Sequence, residues 1–156
     1  MSVVHIIGAG AALLLGALVI VMPKGTTRHR VVGAGYVVSL LVVNVAALTI
    51  PRGAPGLGPF HVLAIISLAT LTAGLAPMWV MRRTPSVLAF HAITMCFSYV
   101  GLVAAGLSQV AAELTPGSAA LAVTGTSFVT FAVGAMLIFT RVPRILSQPR
   151  PRSRST

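Results

Sequence analysis

Apolar residues gather in five runs along the chain, and short polar segments separate them. A helix needs roughly 20 apolar residues to cross the hydrocarbon core of a bilayer, and each run is about that long. The pattern therefore predicts an all-α bundle of five transmembrane helices. The predicted spans are residues 3–22, 31–50, 61–81, 87–111 and 119–140. Residues 141–156 are rich in Pro, Ser and Arg without apolar periodicity, and they predict a basic disordered tail.

The segments between the spans predict short connections. Pro23 to Gly33, with the sequence PKGTTRHRVVG, is expected to form a polar hairpin, and residues 51–59 a compact loop rich in Gly and Pro. Ser86 is a candidate N-cap for the fourth span. In the first span, small residues recur every four positions and would let another helix approach closely. They are Gly8, Ala12 and Gly16.

Composition and charge set the environment and the orientation. Of 156 residues, 56% are hydrophobic and 8% charged, so the chain cannot cover itself with a polar surface. Its net charge of +10 would suit nucleic acid on a soluble domain, but here the bases lie in loops and a tail, so no nucleic-acid partner is expected. Ten of the 11 bases follow spans one, three and five. The positive-inside rule then predicts an outside N-terminus and a cytoplasmic C-terminus.

The four histidines fall into two pairs by depth. His5 and His61 open spans one and three at the outer interface, while His29 and His91 lie near the inner one. Two imidazoles at one depth are typical ligands of a b-type haem or a transition metal. Met95 follows His91 by four residues on one helical face, so these two predict a metal site as well. The alternative is that these histidines are interfacial or hydrogen-bonding residues without a metal.

The inner hairpin has two interpretations. Lys24, Arg28 and Arg30 are candidates for binding an anion or the headgroup of an anionic lipid. The alternative is a segment that only sets the topology through its charge. Asn44, the strongly polar residue of the second span, is expected to form a hydrogen bond to a neighbouring helix.

These motifs resemble those of a bacterial family of small multi-pass membrane proteins, known only as predicted membrane proteins with a domain of unknown function. The similarity covers about residues 3–111. It rests on His5, on the KGTxxHRxxG motif from Lys24 to Gly33, on His61, and on His91 with Met95. Relatives often have Arg after this last His, where this chain has Ala92. The resemblance implies a bacterial plasma membrane protein in which all four histidines are motif members, and it implies no reaction.

Two functional hypotheses follow. The first is a redox membrane protein that binds haem or a metal through paired histidines. The second is a cofactor-free small transporter, or a subunit that binds anionic lipid. The small stripe on the first span would also suit a homo-oligomer or a larger membrane complex.

Overall fold

The computed structural model describes residues 3–49 and 59–146, and predictions for residues 50–58 and 147–156 lie outside these ranges. Within the described residues, the predicted all-α architecture is confirmed. Five α-helices are each long and apolar enough to cross a membrane. They are α1 (Val3–Val21), α2 (Thr27–Leu48), α3 (Pro59–Val80), α4 (Pro85–Leu114) and α5 (Ala119–Leu146), with a 3₁₀ turn at Pro116–Ser118 before α5.

The first four helices form a closed ring. Each packs against its neighbour in the chain, and α4 also packs against α1. In the described residues, α1 and α3 make no close backbone approach to each other, and neither do α2 and α4. These two pairs are therefore the diagonals of a four-helix bundle. The fifth helix packs on α4, where Ser127 and Ser108 share a hydrogen bond of 2.8 Å.

The connection between α1 and α2 is shorter than the predicted hairpin. Pro23 follows the last turn of α1, and Gly25 supplies the one residue with a positive φ, at 81°, in the described chain. The hydroxyl of Thr26 then accepts a hydrogen bond of 3.1 Å from the backbone N–H of His29 and caps α2. The hairpin prediction was therefore wrong beyond Thr26, because a capped helix begins there and includes Arg28 and Arg30.

The start of α4 also differs from the prediction in detail. Thr84, and not Ser86, is the N-cap, and its hydroxyl accepts a hydrogen bond of 3.3 Å from the N–H of Val87. Pro85 occupies the first helical position, where a backbone N–H would have no partner within the helix, so proline costs no hydrogen bond there. The hydroxyl of Ser86 lies 2.9 Å from that of Thr84.

The small residues of α1 pack inside the protein's own bundle. Gly8, Ala12 and Gly16 are all buried. A Cβ on Gly8 would lie 3.1 Å from Val43, and one on Gly16 would lie 2.9 Å from the ring of Tyr36. The stripe therefore serves close packing within this chain and is not available to a helix of another complex.

The basic side chains of the described loops and helix ends lie at one end of the bundle, which we call the basic end. This end comprises the C-termini of α1, α3 and α5 and the N-termini of α2 and α4. Its bases are Lys24, Arg28, Arg30, Arg82, Arg83 and Arg141. The other end is the far end. Which end faces the cytoplasm stays a prediction.

Candidate functional site

The structure places His29 and His91 at the basic end, on the diagonal helices α2 and α4. His29 precedes Tyr36 by seven residues, and His91 precedes Ser98 by seven. The hydroxyls of Tyr36 and Ser98 form a hydrogen bond at the centre of the bundle. Since seven residues are close to two full helical turns, all four side chains face the interior. The two histidines of the predicted inner pair thus face the interior from opposite helices, and their pairing stays a prediction.

The imidazole of His91 is held by the backbone of α3. Its Nδ1 lies 2.8 Å from the carbonyl oxygen of Gly74. A carbonyl only accepts hydrogen bonds, so Nδ1 is the donor in this contact, which leaves Nε2 as the ring nitrogen that could bind a ligand. Metal-binding histidines commonly have this arrangement, because the second hydrogen bond fixes both the tautomer and the ring orientation.

His29 is half-buried at the start of α2. Its Nδ1 is buried and has no hydrogen-bond partner among the described residues. A buried nitrogen without a partner costs free energy, unless a ligand supplies one. The pair therefore offers one anchored imidazole and one imidazole with an unsatisfied nitrogen.

Met95 and His91 both contact the same small residue. A Cβ on Gly74 would lie 3.0 Å from the sulfur of Met95. Met95 also packs against the buried core cluster that contains Leu71 and Leu102. Glycine at position 74 thus leaves room for the side chain of Met95 beside the carbonyl that His91 contacts. That Met95 is itself a metal ligand stays a prediction.

A buried polar layer lies at the centre of the bundle. The hydroxyl of Tyr36 is 2.8 Å from that of Ser98 across the diagonal between α2 and α4. The hydroxyl of Tyr99 donates to the carbonyl of Leu13 at 3.3 Å and so joins α4 to α1. The two tyrosine rings lie with their centroids 6.5 Å apart, over Gly16. Sequence reasoning missed Ser98 and Gly74, although the shared seven-residue spacing was a signal for Ser98.

The second predicted pair lies on the other diagonal, at the far end. His5 belongs to α1 and precedes Ala12, which is fully buried, by seven residues, so both share the inward face. His61 belongs to α3 and is only 6% exposed. Every helix of the ring contributes a small buried residue to this half of the bundle. These residues are Gly8, Ala47, Ala64 and Ala104.

The predicted interhelical hydrogen bond of Asn44 is present. Its side-chain amide donates to the hydroxyl of Ser67 at 3.0 Å and links α2 to α3. Asn44 is 5% exposed, and Ser67 lies six residues from His61 on the same helix. The bond therefore fixes the register of the two helices near the far-end pair.

We expect the Asn44–Ser67 bond to contribute about 0.6 kcal/mol and at most about 2 kcal/mol, the range for such bonds in bilayers. Asn44→Ala, Ser67→Ala and the double variant form a double-mutant cycle. The measurement is the free energy of unfolding in detergent micelles. A coupling energy indistinguishable from zero would mean that the two side chains act independently.

The predicted anion-binding residues divide into two kinds. The ammonium of Lys24 donates to the carbonyl of Val19 at 2.8 Å and to that of Ile20, so it caps the end of α1. Burial of the ammonium lowers the pKa of Lys24. Arg28 and Arg30 are exposed on the first turn of α2. Lys24 therefore stabilises a helix end, while the two arginines remain available to an anion.

The described residues contain no group of three or more His, Cys, Asp or Glu side chains placed to hold one metal ion. The sequence profile of a family described as "Predicted membrane protein (DUF2306)" matches residues 2–146. The chain belongs to this family. The resemblance inferred from the motifs is thus confirmed at the level of a DUF2306 membrane protein family of unknown function. A comparison with curated proteins and one with solved structures find no match.

Proposed function

We propose that this protein holds transition-metal centres between paired histidines, and that haem iron of the b type is the first candidate. The observation that carries the proposal is the basic-end pair. His91 is anchored through Nδ1 to Gly74 at 2.8 Å, and His29, on the diagonal helix, has a buried Nδ1 without a hydrogen-bond partner among the described residues. Haem iron and copper both take neutral imidazole as a ligand.

The diagonal placement suits a group that lies between two imidazoles. Packed helices in a bundle are about 8–10 Å apart, so diagonal helices are separated by roughly 11–14 Å. Inward side chains on diagonal helices face each other across the interior of the bundle, so a group held by two such imidazoles would lie between the helices. Haem would supply one-electron chemistry, and the residues named here would bind and orient it.

The far-end pair supports a second centre. His5 and His61 lie on the opposite diagonal, in the half of the bundle where each ring helix contributes a small buried residue. Two centres at opposite ends of an apolar bundle would suit transfer of single electrons across the membrane. As part of this proposal, we place the protein in a bacterial plasma membrane with the basic end toward the cytoplasm.

Purified protein tests the proposal directly. The full chain is expressed with added haem precursor, extracted in mild detergent and examined by absorption spectroscopy in the oxidised and reduced states. Iron, copper and zinc are measured in the same sample. We expect a Soret band that shifts on reduction. A colourless protein that lacks all three metals and takes up no added hemin would overturn the proposal.

A further inference from the structure

A cleft at the basic end lies between the end of α1 and the start of α2. It has a volume of about 540 Å³ and opens to the surroundings. Met22 and Pro23 give it an apolar wall, and Thr26, Thr27 and Arg28 give it a polar one. None of the four histidines lines it.

Arg28 is the charged side chain of the cleft. Thr26 is occupied, because its hydroxyl caps α2 and donates to the carbonyl of Pro23 at 3.1 Å. The ammonium of nearby Lys24 is occupied by the end of α1. Glu113, the only acidic residue of the chain, lies near the far end of α4, so no acidic side chain competes for the guanidinium. The cleft therefore presents an uncompensated positive charge beside hydroxyl groups.

The surroundings of the cleft are those of a membrane interface. At the same end of the bundle, Trp79 is 82% exposed and stands just before Arg82 and Arg83, an arrangement typical of interfacial anchors. Apolar side chains continue from the cleft along both helices, since Val21 is 78% exposed and Val31 66% exposed. A ligand in the cleft thus has a cationic contact at one end and an apolar helix surface beside it.

We propose that this cleft binds the phosphate group of an anionic phospholipid, with the acyl chains along the apolar faces of α1 and α2. The planar guanidinium of Arg28 matches the geometry of a phosphate through two parallel N–H donors. The apolar flanks distinguish a lipid from free phosphate, which would gain nothing from them. The site does not depend on any metal centre.

The matched variants are Arg28→Gln and Arg30→Gln. Both remove one positive charge from the first turn of α2, but only Arg28 lines the cleft. The full chain is placed in nanodiscs that contain phosphatidylcholine with a small fraction of phosphatidylglycerol. Binding of phosphatidylglycerol is measured by native mass spectrometry, and circular dichroism reports folding. We expect Arg28→Gln to weaken binding about fivefold, equivalent to about 1 kcal/mol, and Arg30→Gln to change it less than twofold.

Three further arms decide the outcome. Wild-type protein should prefer phosphatidylglycerol to phosphatidylcholine, and the absence of a preference would overturn the site even if Arg28→Gln failed to fold. Arg28→Lys keeps the charge but loses the paired donors, and it should bind with intermediate affinity. Equal losses in the two glutamine variants would instead indicate a diffuse charge effect. Displacement of the lipid by millimolar inorganic phosphate would show that the cleft takes free phosphate, and would overturn the assignment to lipid.

Discussion

Replacing Gly16 with alanine is expected to destabilise the bundle by about 1–3 kcal/mol, the usual cost of adding a methyl group to a filled core. The new Cβ would lie 2.9 Å from the ring of Tyr36 and would also clash with the ring of Tyr99. Both rings belong to the central polar layer, so neither can move without disturbing the hydrogen bond to Ser98 or that to Leu13. The measurement is the free energy of unfolding in detergent micelles.

Gly10→Ala is the matched control for this prediction. Gly10 lies on the same helix, is exposed, and has no atom within 4 Å of the position that a Cβ would take. Its replacement should change the stability by less than about 0.5 kcal/mol. If Gly10→Ala and Gly16→Ala proved equally stable, the close approach of α1 to the tyrosines would be wrong.

Lipid exposure explains why the architecture was predictable and the helix contacts were not. Hydropathy and length identify a spanning helix, because each run must satisfy its own backbone hydrogen bonds in the bilayer. The same uniform apolarity hides rotation, since lipid-facing and buried positions are both apolar. The close approach predicted for the stripe from Gly8 to Gly16 is therefore present, but the sequence did not show that the partner helices belong to this chain.

The starts of α2 and α4 differ from the prediction because of the residues immediately around them. Basic residues after Pro23 suggested a polar hairpin, but Thr26 can cap a helix, and basic side chains on a first turn reach the interface from a helix as well as from a loop. At the start of α4, two hydroxyl residues flank Pro85, and proline prefers the first helical position, which makes Thr84 the cap. The capping preference of threonine and the position preference of proline therefore predict the first residues of α2 and α4 better than the polarity of these segments does.

The depth of each histidine in the membrane could be predicted from the sequence, but the groups that each histidine contacts could not. Position along each span places His29 near His91 and His5 near His61, because every residue adds about 1.5 Å of rise. His91 forms its hydrogen bond with the backbone carbonyl of Gly74. Every residue has such a carbonyl, so the sequence does not show which one a histidine will contact. The diagonal arrangement depends on the order of helices around the ring, which short loops restrict but do not determine.

If the two histidine pairs hold separate centres, His91→Ala and His61→Ala should each remove about half of the bound haem or metal, and the double variant nearly all of it. About 10 Å of helix separates His29 from Tyr36, and about 16 Å separates Gly16, beneath that ring, from His5, so the layers are too far apart to share a centre. Loss of one of the two imidazoles would leave the bound group with a single histidine to hold it, and even changes to supporting groups lower metal affinity about 10–100-fold.

Met95→Leu is the control for the basic-end pair, because Met95 lies one turn from His91 and contacts the same glycine. With His29 as the second ligand, the leucine variant should keep the wild-type spectrum and the wild-type metal content. A shifted Soret band or lost metal in Met95→Leu would instead support the predicted His91–Met95 site. A protein that loses all of its cofactor in either single histidine variant would exclude two independent centres, since each diagonal has its own pair of imidazoles.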